Sequence, residues 1–326
     1  MEEKEQTKKR FRLFDTQRVG RGVEKGEVYR TPGLRGFFRA YKDSFGKLLS
    51  VNLLTVFGNF PLLFLIFILT GVTQIDYYAP MSDMFPGLYG VFLIDGTATP
   101  ATMSLYGIEG IFVLANTSTV WTWICLGIAC LAVFTFGCVN AGCAYILRNL
   151  VTGDPVFVWT DFVSVIRQNK KQAFFYSIFD AILMVLIPYN LYYYITSGNI
   201  GFLNSFLFWM TVVVEILYLF MRRYIYLQMV TFDLPIKKQI KNAFIMAFVG
   251  IKRNILALLG SACLLILELL CLFSFGGALL SVGVILPLIA LFSHMDFMFT
   301  FAAYYKIKEL MIDPYLREHP TPAENA

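Results

Sequence analysis

Five ionisable residues stand inside long apolar stretches of this sequence, namely Asp180, Glu215, Glu268, His294 and Asp296. If those stretches cross a membrane, each charged side chain costs roughly 3 kcal/mol at mid-bilayer, so such residues are the first candidates for function. Facing carboxylates beside a histidine could pass a proton or a cation, because imidazole titrates near neutral pH. The structural alternative is that the acids pair with Asn, Tyr or one another inside a helix bundle.

The distance of each acid from the nearest basic residue predicts its depth. Asp180, Glu215 and Asp296 lie within ten residues of a Lys or Arg, which on a helix corresponds to roughly 10–15 Å. Glu268 lies fifteen residues past Arg253, or roughly 22 Å along a helix. We therefore expect three of the acids at similar depth and Glu268 near the opposite surface.

The basic residues are distributed very unevenly. All 27 Lys and Arg residues fall in four stretches, 1–47, 148–171, 222–253 and 306–317. The segments between them are apolar and long enough to cross about 30 Å of hydrocarbon. We predict six spans, at about 51–73, 120–146, 173–196, 203–221, 255–275 and 280–303. Because Lys and Arg are retained on the cytoplasmic side, the pattern predicts a multi-pass protein of the cell membrane with both termini in the cytoplasm.

The predicted fold is all-α, with about six transmembrane helices in three hairpins and short interfacial amphipathic helices on the cytoplasmic face. A basic arm with an interfacial helix occupies 1–47, the membrane domain 48–303 and a cytoplasmic tail 304–326. Phe38, Phe162 and Phe244 each precede a basic residue by nine positions. This spacing suggests a three-fold repeat of one interfacial helix and one hairpin.

Two sequence features predict local helix geometry within the spans. Gly137 and Gly142 belong to a strip of small residues on the second span, where another helix can approach closely. Pro188 and Pro287 interrupt the third and sixth spans, where a proline removes a backbone hydrogen bond and can kink the helix.

The first outer connection, 74–119, is much longer than the other two. It carries four acidic residues, no basic residue and many aromatic residues, and this aromatic content argues against disorder. We predict a folded cap on the outer face, which either binds a ligand or only covers the helix ends.

Composition and motifs exclude several classes of function. The chain is 57% hydrophobic and 15% charged, and its net charge of +5 sits mainly in segments predicted to lie beside anionic headgroups. The expected partner of this charge is the lipid bilayer and not nucleic acid. The sequence has no Walker A motif, nucleophile elbow or His-Glu-x-x-His pair. We predict a non-enzyme without cofactor or metal, with its six cysteines reduced.

The two longest inner segments could bind a partner. The candidate docking residues are charged or aromatic, and they lie in the predicted inner loops 148–171 and 222–253: Arg148, Asp161, Phe162, Arg167, Lys171, Asp233 and Lys241. A short helix in such a loop could be a docking surface. It is equally suited to anchoring the bundle against lipid.

The segment after the second predicted span carries the most specific pattern, GCVNAGCAYILRN at 137–149, VFVWTDF at 156–162 and NKKQ at 169–172. This pattern resembles the YesL-like family of multi-pass bacterial membrane proteins, with matching segments over most of 37–260. The chain departs from the family in its 74–119 insertion and in Cys138, where a proline is expected. The resemblance implies a membrane protein of unknown function that is often associated with carbohydrate uptake systems of Gram-positive bacteria, and it supplies no catalytic residues.

Three functions remain open on the sequence alone. The leading hypothesis is a non-enzymatic accessory or regulatory protein linked to carbohydrate uptake, whose partners would be subunits of a carbohydrate importer. The second is a secondary transporter of a small solute that uses the membrane-embedded carboxylates. The third is a structural membrane scaffold.

Overall fold

The computed structural model describes residues 31–80, 100, 112–197, 201–273 and 277–318. Its α-helices are α1 (Leu34–Gly58), α2 (Pro61–Leu69), α3 (Val120–Cys130), α4 (Ala132–Thr152), α5 (Val158–Thr196), α6 (Phe202–Thr231), α7 (Ile236–Val249), α8 (Ile251–Leu272), α9 (Gly277–Leu286), α10 (Phe292–Ile307) and α11 (Asp313–Glu318). Two π-helical turns, Pro287–Leu291 and Lys308–Ile312, flank α10. The predicted all-α fold is confirmed.

Long apolar helices dominate the described part of the chain. Five are long and apolar enough to cross a membrane, namely Val120–Thr152, Val158–Thr196, Phe202–Thr231, Ile251–Leu272 and Leu279–Glu318. The bent pair α1 and α2 makes a sixth if the two are counted as one span. This architecture agrees with the predicted multi-pass membrane protein of about six spans.

The first predicted span is not one continuous helix but the bent pair α1 and α2. Helix α1 runs unbroken across the expected boundary at residues 47–48, and the chain bends by 63° only between Gly58 and Pro61. Pro61 has no backbone N–H to continue the helical hydrogen bonds. Both the N–H and the side-chain Nδ2 of Asn59 donate to the carbonyl of Thr55, which closes the last turn of α1.

The predicted inner loops are mostly helical. Helix α5 extends from Val158 through the basic segment into the span, and α6 continues past the predicted end of its span to Thr231. The connections shorten to 153–157 and 232–235. Among the described residues, a separate helix precedes the span only in the third copy of the predicted repeat, where α7 breaks from α8 at Gly250.

The outer connection contains a two-stranded ribbon that was not predicted. Strand β1 (Gln74–Pro80) pairs antiparallel with β2 (Phe112–Ser118), from Gln74 opposite Ser118 to Pro80 opposite Phe112. The hydroxyls of Thr119 and Thr122 both donate to the carbonyl of Thr73, at 2.7 and 2.8 Å, and so attach the ribbon to α3. The predicted cap otherwise falls on 81–99 and 101–111, outside the described residues.

Most fully buried side chains lie in one half of the bundle. The described basic residues lie in α7, in the turn Lys308–Ile312, in α11, and in the halves of α1, α4, α5, α6, α8 and α10 that meet at one end, which we call the basic end. One buried cluster at this end joins α1, α4, α5 and α10. A second joins α4, α5, α6, α7 and α10. Because α4, α5 and α10 contribute to both clusters, they form the centre of the bundle.

The strip of small residues on α4 permits the close approach predicted for it. A Cβ atom added at Gly137 would meet the carbonyl oxygen of Ala173 on α5 at 2.3 Å, and one at Gly142 would meet the ring of Phe162 at 2.6 Å. The hydroxyl of Ser177 accepts the N–H of Gly137 at 2.9 Å and donates to the carbonyl of Val133 at 2.8 Å. Packing and hydrogen bonds therefore hold α4 against α5.

The two prolines have different effects. Pro188 lies inside α5, which continues to Thr196. Pro287 opens a π-helical turn, a form in which the helical hydrogen bonds are displaced. Asn52 on α1 forms hydrogen bonds with the backbone groups of this turn. Its Nδ2 donates to the carbonyls of Pro287 and Leu288 at 2.9 Å each, and its Oδ1 accepts the N–H of Ser293 at 3.0 Å.

Candidate functional site

Two adjacent arginines on α6 bind two of the acids that the sequence places within spans. Arg222 donates through Nε to Asp180 on α5, at 2.8 Å to Oδ1 and 3.0 Å to Oδ2. Arg223 forms an ion pair with Asp296 on α10. The two arginines therefore bind carboxylates of two different helices, and together they connect α5, α6 and α10.

Asp180 is fully buried and fully surrounded by donors. The hydroxyl of Tyr218 donates to Oδ1 and that of Tyr226 to Oδ2, both at 2.5 Å, in addition to Arg222. Tyr218, Arg222 and Tyr226 are spaced four residues apart and so project from one face of α6. The guanidinium carbon of Arg222 also lies 5.0 Å from the ring centre of Phe136 on α4. A carboxylate held in this way links α5 to α6.

Asp296 is less enclosed than Asp180. The side chains of Arg223 and Asp296 are 6% and 20% exposed, and Nη1 of Arg223 is buried without a hydrogen-bond partner among the described residues. The expected arrangement of facing carboxylates is therefore not found for Asp180 and Asp296, because each acid has its own arginine.

The remaining intramembrane candidates are separate from this cluster. Glu215 is half-buried on α6, two helical turns before Arg222. Glu268 on α8 is 4% exposed, and both of its carboxylate oxygens are buried without a partner in the described part of the chain. Among the described carboxylates within the predicted spans, Glu268 is thus the one that is buried without a hydrogen-bond partner.

His294 stabilises the π-helical turn and contacts α1. Its Nδ1 lies 2.6 Å from the carbonyl of Ala290, to which it can only donate. Its ring packs edge-on against Tyr41 and Phe45, with centroids 5.4 and 5.5 Å apart. His294 is therefore a packing residue, and the described residues contain no group of three metal-ligating side chains.

A polar groove opens at the basic end, and we call it the basic groove. It has a volume of about 440 Å³, and one wall is residues 168–172 of α5 while the other is residues 229–233 at the end of α6. Exposed Lys170 and Lys171 lie on the first wall and exposed Asp233 on the second. The groove therefore presents charges of both signs at the surface that the sequence predicts to be cytoplasmic.

Hydrogen bonds fix both walls of the basic groove. Gln172 and Gln239 each donate through Nε2 to the carbonyl of Leu234, at 3.1 and 2.9 Å. Arg148 donates through Nη1 to the carbonyl of Val230 at 3.0 Å and to the hydroxyl of Thr231 at 3.1 Å. These hydrogen bonds hold the two walls of the groove in place.

The predicted docking residues divide into internal and accessible ones. Arg148 holds the end of α6, Phe162 is buried against Gly142, and Asp161 accepts the N–H of Phe157 at 2.9 Å at the start of α5. These three act within the fold. The four accessible residues are Arg167, Lys171, Asp233 and Lys241. Of these, Lys171 and Asp233 share the basic groove.

Sequence reasoning missed Arg222 and Arg223 as site residues, because their charges were interpreted as the inner boundary of the fourth span. The flanking Tyr218 and Tyr226, one turn to either side of Arg222, were the available signal that this arginine faces a buried acid. Asn52 was missed as well, since its partners lie more than 230 residues away.

Comparisons of this chain with protein-family models, with curated proteins and with solved structures gave no significant match. The similarity to the YesL-like family therefore remains a prediction from the motifs at 137–149, 156–162 and 169–172.

Proposed function

We propose that this multi-pass membrane protein is a non-enzymatic accessory protein that docks a partner in the basic groove. The observation that supports this proposal is the difference between a buried acid and the exposed charges of the groove. Asp180 inside the membrane is saturated by three donors, whereas Lys171 and Asp233 of the groove are exposed. Polar side chains that are accessible to another molecule thus lie mainly at the basic end.

The groove supports recognition of a protein segment. Lys170 and Lys171 on one wall and Asp233 on the other would align a segment that carries both signs of charge, and such complementarity gives specificity and orientation. Because hydrogen bonds already hold the walls, little conformational entropy is lost on binding, which favours affinity.

The link to carbohydrate uptake rests on the family resemblance alone. On that basis the docked partner would be a cytoplasmic or membrane subunit of a carbohydrate importer. The cytoplasmic position of the groove rests on the distribution of Lys and Arg along the sequence.

Affinity purification from the native host tests the proposal. The tagged wild-type protein should recover a partner that Lys171→Glu and Asp233→Lys each reduce, because each substitution reverses one charge of the groove. Lys237→Glu is the control, since this exposed residue lies on α7 outside the groove. Equal recovery with all variants would contradict docking at this site.

A secondary transporter is the second candidate, and Glu268 is the observation that favours it. A carboxylate that is buried without a hydrogen-bond partner is costly in a low-dielectric environment, and such a residue is therefore a candidate for function. Proton- or cation-driven flux in proteoliposomes that disappears in Glu268→Gln would support this alternative over the accessory role.

A further inference from the structure

We propose that a second groove, on the side of the bundle, binds one anionic phospholipid. This lipid groove lies between the first turn of α1, the first half of α8 and the middle of α10, and its volume is about 350 Å³. It is separate from the basic groove and shares none of its lining residues. The inference therefore stands independently of partner docking.

The lining of the lipid groove is almost entirely apolar. Phe37 and Phe38 form the wall on α1, Leu256 and Leu259 that on α8, and Phe301 that on α10. Leu256 and Leu259 are 51% and 57% exposed, so the groove opens to the lateral surface that would face lipid. Its volume falls within the roughly 300–1,000 Å³ of small-molecule sites. An acyl chain matches this shape and polarity.

Arg253 is the charged residue among those that line the groove. Its Nη1 is buried without a hydrogen-bond partner in the described part of the chain. A guanidinium carries five N–H donors in a planar fork that fits two phosphate oxygens at once. A phosphate beside Arg253 would thus satisfy a donor that the protein itself leaves unpaired.

The nearby acid Glu309 does not neutralise Arg253 by direct contact. Glu309 lies close enough to interact electrostatically with Arg253, yet both of its oxygens accept from Nζ of Lys306 at 3.0 Å. Positive charge therefore remains available at the mouth of the groove.

The order of polar and apolar groups along α8 selects a phospholipid over a soluble ligand. Arg253 is the third residue of α8 at the basic end, and Cys263 at the far end of the groove lies ten positions later, roughly 15 Å along the helix. A charged group at the headgroup level followed by 15 Å of apolar surface repeats the layering of one bilayer leaflet. Anionic headgroups are favoured because the positive charge of Arg253 is not neutralised by the direct contacts of Glu309, which go to Lys306.

Native mass spectrometry of the delipidated full chain, with phosphatidylglycerol added back, tests the site. The wild type should retain one phosphatidylglycerol, in preference to phosphatidylcholine and in the presence of excess inorganic phosphate. Arg253→Gln should weaken retention about tenfold, as expected for loss of a charge-assisted contact. Lys252→Gln removes the same charge one residue away, outside the lining, and should change retention less than about twofold.

Two further variants keep the test decisive if Arg253→Gln does not fold. Arg253→Lys keeps the charge but loses the planar fork and should bind with intermediate strength. Cys263→Phe adds bulk to an exposed position of the groove and should block the acyl chain with Arg253 intact. Equal losses in Lys252→Gln and Arg253→Gln would indicate nonspecific attraction and overturn the site. So would a wild-type protein that retains no lipid because another part of the chain or a second copy fills the groove.

Discussion

Arg222 and Arg223 stand side by side on α6, yet they bind carboxylates on two different helices, Asp180 of α5 and Asp296 of α10. Consecutive residues on a helix project about 100° apart, so adjacent side chains reach different neighbours. The two pairs are electrically neutral as a set, which lowers the cost of placing four charges inside an apolar bundle. They fix α6 between α5 and α10.

Loss of the carboxylate at Asp180 should destabilise the protein strongly. Asp180→Asn keeps the shape but leaves the charge of Arg222 buried and uncompensated, so we expect a loss of about 3–5 kcal/mol in unfolding free energy. Chemical denaturation in detergent measures it, with exposed Asp233→Asn as the control. The double variant Asp180→Asn with Arg222→Gln should recover part of the loss. A single variant as stable as wild type would show that the pair is not structural.

Substitution of Asn52 should loosen the π-helical turn. Asn52→Ala leaves two carbonyls and one N–H without their partner, and we expect a loss of about 1–3 kcal/mol. Hydrogen exchange at the amide of Ser293 should become faster. The matched control is Asn169→Ala, because Asn169 is half-buried but donates only to the carbonyl of Val165 in its own helix. Unchanged exchange at Ser293 would argue against this role.

The small residue at position 142 should be required for packing of α4 on α5. In Gly142→Ala the new methyl group meets the ring of Phe162, and overpacking of this kind costs about 1–3 kcal/mol. Gly127→Ala on α3 is the control, since nothing lies within 4 Å of its added Cβ. The smaller side chain in Phe162→Leu should partly rescue Gly142→Ala. Equal stability of the two glycine variants would contradict the close contact.

Glu268 should respond oppositely to Asp180 when its charge is removed. Glu268 has no partner among the described residues, so Glu268→Gln removes a charge without leaving another unpaired. We expect unchanged or increased thermal stability and, under the accessory role, no proton flux in proteoliposomes of either protein. Flux in the wild type that is lost in Glu268→Gln would favour a transporter instead.

The sequence predicts the spans well because length and hydrophobicity alone determine whether a helix can cross a bilayer. It predicts helix ends poorly. Lys47 and Arg222 were interpreted as boundaries, yet both lie within continuous helices. Basic residues mark depth in the membrane, whereas helical hydrogen bonds are local and continue through the interface. The break before Pro61, which lacks a backbone donor, falls inside the predicted span 51–73, where no helix end was predicted.

The buried acids of the candidate site were predictable from the sequence, but their partners were not. The cost of burying a charge identifies Asp180, Glu268 and Asp296 from the sequence. Their partners are not visible there, because Arg222 lies 42 residues from Asp180 and Arg223 lies 73 residues from Asp296. The basic groove likewise forms only when α5 meets the end of α6. Its residues 168–172 and 229–233 share no local motif.

Photocrosslinking in native membranes tests partner docking most directly. A photoreactive amino acid at Gln168, an exposed residue of the basic groove, should crosslink to one partner protein. The same amino acid at Lys238, exposed on α7 outside the groove, should not, and Lys171→Glu should abolish the adduct at Gln168. Crosslinking only to lipid at both positions, or an adduct that Lys171→Glu leaves unchanged, would contradict an accessory protein that acts through this groove.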